Sequence, residues 1–126
     1  MLIDLLKHKP DSISYILGVT SKDISTTKRN SDGTTKTPES KYSDWGIFGL
    51  GYRPGQSCVV STFRIKHAEH DVFVSRMEKI SIHEIGHNMG LKHCETENCV
   101  MQDAVETIKT VDNVSNQLCT NCIDQL

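Results

Sequence analysis

Residues 83–93 read His-Glu-Ile-Gly-His-Asn-Met-Gly-Leu-Lys-His. His83 and His87 are spaced so that on a helix they stand one turn apart on the same face. Two imidazoles so placed can grip one zinc ion from a rigid support. Glu84 lies beside the first of them, where its carboxylate can take a proton from water that a metal has acidified without itself binding metal. If the helix ran on, His93 would be rotated by about 240° from His87 and would face away. Gly90 removes that difficulty, because glycine can take positive φ, end the helix and turn the chain back under the site. His93 then completes a three-histidine set with a fourth position open, the pattern of a catalytic zinc. A purely structural zinc site would use the same histidines, but it has no need of Glu84.

The cysteines continue this reading. Cys94 follows His93 directly, Cys99 and Met101 come next, and Cys119 and Cys122 lie further on. Four thiolates in two pairs suit a closed tetrahedral zinc site, which is structural and has no open position. Two disulfides are the alternative, disfavoured in a reducing compartment. A zinc ribbon for nucleic acid would need basic residues around the cysteines, and none cluster there. Cys58 is left over, and reads as a buried, inert thiol on a strand. By spacing alone, Met101 is as well explained by core filling as by any role near a metal.

The stretch from His83 to Cys122 closely resembles the archaemetzincin family, whose signature is the extended histidine motif, the adjoining cysteine, a second cysteine, a nearby methionine and a distal cysteine pair. The resemblance implies that His83, His87 and His93 hold a catalytic zinc, that Glu84 is the base, and that Met101 is the methionine of the turn beneath the site. It implies that Cys94, Cys99, Cys119 and Cys122 hold a second zinc, giving two zinc ions per chain. Because His93 and Cys94 are neighbours, the second zinc is expected to fix the loop carrying His93. The implied fold is α+β, a metzincin-like zincin domain. It has a small mixed twisted sheet, an active-site helix, a C-terminal helix and an abbreviated N-terminal part. Substrate peptides would add antiparallel to an edge strand, placed by the resemblance near residues 55–63. Family members carry more chain ahead of the first helix, so the sheet is expected to lack a strand, which would expose an edge or some core.

The rest of the chain fits one domain over 1–126. It has 126 residues, 37% hydrophobic and 24% charged, with a net charge of −2, an ordinary globular balance. That charge gives no footprint for nucleic acid. No apolar run approaches the roughly 20 residues that cross a bilayer. Residues 1–7 carry Asp4 within a short apolar stretch, unlike a secretory signal, so a cytoplasmic location is expected. Periodicity predicts a helix over 1–9, a strand over 13–19, a glycine-broken strand over 46–52, a strand over 58–65 and a helix over 70–89. Asp103 with Glu106 reads as a capping box opening a helix that carries Val105, Ile108, Val111 and Leu118. Residues 20–44 read as a long exposed loop that, with Tyr42, Trp45, Tyr52 and Arg53, either rims the cleft or packs around turns. The sequence thus predicts a zinc metallopeptidase acting on short or unstructured peptides. The alternative is a zinc-binding interaction or regulatory protein of the same fold. Monomer and dimer are both open.

Overall fold

The computed structural model describes residues 1–103 and 107–126. Helix α1 (Leu2–His8) leads into β1 (Ile16–Thr20), β2 (Ile24–Thr26), the short α2 (Glu39–Tyr42), β3 (Trp45–Ile47), β4 (Gly49–Gly51) and β5 (Ser57–Ser61). The long α3 (His70–Asn88), then α4 (Ile108–Asn113) and α5 (Thr120–Asp124), complete an α+β chain. None of the described helices is long and apolar enough to cross a membrane.

β5 is the centre of the main sheet. It pairs parallel with β1 and antiparallel with β4, and all five of its residues are buried. Alternation along it serves two helices. Ser57 donates its hydroxyl to the Leu2 carbonyl of α1 (3.0 Å), while Val60 joins Ile65, Ile80 and Val111 in a cluster beneath α3. A second cluster of Leu91, Cys99, Val100, Met101 and Cys122 lies under the far end of α3. β2 and β3 form a separate antiparallel pair.

Several boundaries differ from the periodic reading, each for a local reason. Residues 11–14 are spent on a turn, with the Ile13 amide bonded to the Pro10 carbonyl, so β1 starts at Ile16. β5 ends at Ser61 because its hydroxyl bonds to the Lys22 carbonyl and receives the Phe63 amide, turning the chain. Phe63 is consequently exposed, and Ile65 alone returns to the core. The glycine-broken strand divides at Phe48 into β3 and β4, which belong to different sheets. The stretch 20–44 is more ordered than a loop, since it holds β2, a bridge between Arg29 and Thr35, and α2.

The helix expected from Asp103 is shorter. Thr107 caps it through the Lys109 amide (3.1 Å), and Leu118 lies beyond its end, where Ser115 ties the chain to the Asn98 carbonyl. Glu106 of the expected capping box and Val105 of the expected helix fall outside the described residues.

Arg76, 8% exposed, clamps α3 to α4 through a two-pronged bond to Asp112 (2.8 and 2.7 Å). That guanidinium holds the Asp112 carboxyl below its ordinary 3.8. A depressed carboxyl contributes stability above its unfolded value and loses it as pH falls through the folded one. Asp112→Asn should therefore unfold more easily than the parent at neutral pH, and the gap should close below pH 3.8. Thermal melts of both proteins across that range check this, and a gap that does not change with pH contradicts it.

Candidate metal centre and active-site cleft

The end of α3 presents His83 and His87 as the spacing requires. Gly90, at φ +99°, reverses the chain, with the Gly90 amide on the His87 carbonyl and the Leu91 amide on the Gly86 carbonyl. The reversal brings His93 to the other two. Ring centroids lie 4.7 Å apart for 83–87, 5.3 Å for 83–93 and 4.9 Å for 87–93. One nitrogen from each ring lies within 4.8 Å of the others.

Hydrogen bonds fix which nitrogens are available. His83 donates through Nδ1 to the Val100 carbonyl (2.8 Å) and His87 through Nδ1 to the Leu91 carbonyl (2.7 Å). A carbonyl oxygen only accepts, so each neutral ring has its proton on Nδ1 and a bare lone pair on Nε2. Burial holds His83 in that neutral form, lowering it to about 4, and also lowers His87. The two Nε2 atoms face each other at 3.1 Å with no hydrogen between them. Two lone pairs at that distance repel unless a cation lies between them. Tetrahedral zinc with nitrogen ligands at about 2.0–2.1 Å would separate them by about 3.3 Å. The donor set therefore fits zinc, and could hold it. Asp103 stands 3.7 Å from Nδ1 of His93, where a carboxylate can orient a ligand imidazole.

The four cysteines also converge. Cys94–Cys119 and Cys99–Cys122 sulfurs are each 3.7 Å apart, and all four lie within 4.8 Å of one another. These cysteines are free. A disulfide would need about 2.05 Å, whereas tetrahedral thiolates around zinc at about 2.3 Å stand about 3.8 Å apart. The Thr96 amide points at Cys94 and the Cys119 amide at Cys99, both at 3.4 Å. Cys119 is lowered to about 6, first by a backbone hydrogen bond at Cys122, whereas burial raises Cys99 and Cys122. This cluster too could hold a metal ion. The Cys94 amide bonds to the Met101 carbonyl (2.9 Å), so the loop carrying the cysteines is the one supporting His83 through Val100.

Glu84 is 6% exposed, and burial pushes its carboxyl up to about 8. It is admitted by two absent side chains on β4. A Cβ on Gly49 would meet Glu84 Cγ at 2.9 Å, and one on Gly51 would come within 3.3 Å of Oε2. Behind it Cys58 is fully buried, its thiol raised to about 11 by burial and then by Glu84, as an inert core thiol should be. An apolar pocket lined by Ile47, Ile80, Val100, Val111 and Val114 adjoins His83 and Glu84. A wider cleft opens over all three histidines, walled by β4 and by residues 26–29, Lys36, Trp45 and Arg53. Trp45 and Arg53 thus rim the cleft; Tyr42 packs on Trp45 from behind (5.1 Å), and Tyr52 packs over Gly55.

One expectation is corrected. Residues 55–63 are not a free edge, because β5 has a partner on both sides. The free edge facing the cleft is β4. Since Phe48 and Tyr52 exchange bonds with β5, the alternation of an antiparallel ladder turns the peptide groups of Gly49 and Gly51 outward.

The fold and the site together define an α+β chain with a three-imidazole cluster at a helix end and a four-cysteine cluster beside it. The family model of peptidase family M54 matches residues 2–126, and the chain belongs to that family. Archaemetzincin from Halobacterium salinarum is 38% identical over 85 residues, covering 60% of this chain and 49% of that protein. The crystal structure of archaemetzincin from Archaeoglobus fulgidus, complexed with malonate, superposes with a TM-score of 0.70 at 31% identity, covering 94% of this chain and 65% of that one. The Methanopyrus kandleri archaemetzincin gives 0.73 at 29%, covering 96% and 58%. The chain thus spans about half the length of the Halobacterium relative and under two thirds of both crystal structures.

Sequence reading passed over Gly49, Gly51 and Gly86. Glycines two apart on a strand signal close approach on one face, and this was legible. Gly86 lies between the two helical histidines, where a Cβ would meet Met101 Sδ at 2.5 Å. Met101 is fully buried against that spot. Gly86→Ala should cost about 1–3 kcal/mol through overpacking, despite alanine's higher helix propensity. Chemical denaturation checks this, and a neutral or stabilised variant contradicts the packing.

Proposed function

We propose that the chain is a zinc metallopeptidase, with His83, His87 and His93 as ligands of a catalytic zinc and Glu84 as general base. What carries the reading is one juxtaposition: three convergent imidazoles, two with bare Nε2 atoms, share a cleft with a buried carboxyl. When bound, zinc supplies Lewis acidity, which acidifies water and polarises a carbonyl.

The chain's own residues supply the rest. Glu84 takes the proton from the attacking water and returns it to the leaving amine as the peptide bond breaks into acid and amine. Burial raises the proton affinity of Glu84, which makes its carboxylate a stronger base toward the attacking water. The outward peptide groups of Gly49 and Gly51 bind an extended substrate backbone antiparallel to β4. The apolar pocket beside His83 takes a side chain next to the scissile bond. A cleft of this size on one small domain suits short or unstructured peptides. The four cysteines hold a second, structural zinc that fixes the loop carrying His93 and the Val100 carbonyl. Met101 supports the histidines by packing and binds no metal. Cysteines gathered on a metal, with no disulfide among them, suit a reducing, cytoplasmic setting.

Glu84→Gln should retain the histidine-bound zinc and lose cleavage of a peptide library by at least about 100-fold. Zinc content and turnover measured on the same preparation check both halves. Undiminished turnover would remove Glu84 from the mechanism. Lost zinc would make its role structural.

A further inference from the structure

The cleft over the histidines is basic in a chain whose net charge is −2. Its walls carry Lys28, Arg29, Lys36 and Arg53, against Asp103 and the buried Glu84. Three of the four basic residues are brought together by the folding-back of residues 28–36. There the Lys36 amide bonds to the Lys28 carbonyl (2.9 Å) and Arg29 bridges Thr35. Arg53 stands just past β4, and its charge reaches His87.

The pairing of Arg29, Lys36 and Arg53 differs from that of the arginines outside the cleft. Arg64 and Arg76, outside the cleft, are each neutralised by a two-pronged carboxylate bond, to Asp23 and Asp112. Within the cleft, Arg29 donates to a neutral carbonyl, that of Gly33 (3.1 Å), and Lys36 lies over the Tyr42 ring at 5.9 Å. Among the described residues Arg53 makes no hydrogen bond or ion pair. Like charges lining a concave site focus their field into it, raise the local concentration of anions and disfavour cations.

We propose that this cleft selects carboxylate-bearing peptides, those with Asp or Glu close to the scissile bond or with a free C-terminal carboxylate within reach of Arg53 and the 28–36 wall. The proposal rests on the peptidase reading and narrows it. The apolar pocket takes the residue adjoining the bond, and the basic walls take the acidic groups further along the substrate.

The test measures binding of fluorescent peptides of one length to zinc-loaded Glu84→Gln protein. The peptides carry acidic, neutral or basic side chains, each with a free or an amidated C-terminus. Acidic peptides should bind at least about tenfold more tightly than neutral ones, and the advantage should shrink as salt rises from about 0.05 M to about 0.5 M. Arg53→Gln combined with Lys36→Gln should bring the ratio of acidic to neutral binding down to about one, with zinc content measured on the same preparation. A preference that survives amidation assigns the carboxylate to side chains, and one that amidation removes assigns it to the terminus. Equal binding of acidic, neutral and basic peptides overturns the proposal.

Wild-type cleavage of the same set separates the two ideas. Cleavage without charge preference leaves the peptidase and removes the selectivity. Acid-selective binding with no cleavage of any peptide leaves the selectivity and removes the peptidase. The wild-type assay also keeps the proposal testable should Glu84→Gln fail to fold.

Discussion

Two carbonyl oxygens, those of Leu91 and Val100, hold the Nδ1 atoms of His87 and His83, and the rest of the site depends on that constraint. Each bond fixes a tautomer, and together they leave two Nε2 lone pairs facing each other, an arrangement that only a cation relieves. Each carbonyl is itself placed by a longer chain of causes. Leu91 is where it is because Gly90 reverses the chain and the Leu91 amide returns to Gly86. Val100 is held by its own amide on Gln117 and by the neighbouring Met101 carbonyl on the Cys94 amide. The loop that completes the histidine cluster is therefore the loop that gathers the cysteines, and order in one passes directly to the other.

Missing side chains shape the site as much as those present. Gly86 admits Met101 beneath the histidines, and Gly49 with Gly51 admits Glu84 beneath the edge of the sheet. The same two glycines turn their peptide groups toward the cleft. One short strand thus buries the carboxyl, which raises its proton affinity, and also presents the backbone that a peptide would pair with. Against this crowded floor the upper walls are open and positively charged.

What the sequence made legible was mostly local. The span of α3 was readable because its side chains repeat with the helical period, and the three histidines because their spacing and Gly90 lie within eleven residues. The cysteine cluster was readable because thiols in pairs have few other uses. What escaped depends on contacts distant in sequence. Nothing local says that β5 acquires partners on both edges and so gives up the free edge to β4. Nor does the polar composition of 20–44 reveal that it pairs across itself and β3 to become a cleft wall. A carboxylate ahead of an apolar run reads as a helix cap, and only the fold shows Asp103 beside His93 and Thr107 capping α4.

The central proposal is that the chain builds two linked metal sites, one of imidazoles and one of thiolates, joined at residues 93–94. Native mass spectrometry of the zinc-loaded chain tests it most directly. The account predicts the mass of the polypeptide plus two zinc ions, falling to one zinc when His83 and His87 are both replaced by alanine. A wild-type chain that binds one zinc or none would contradict it.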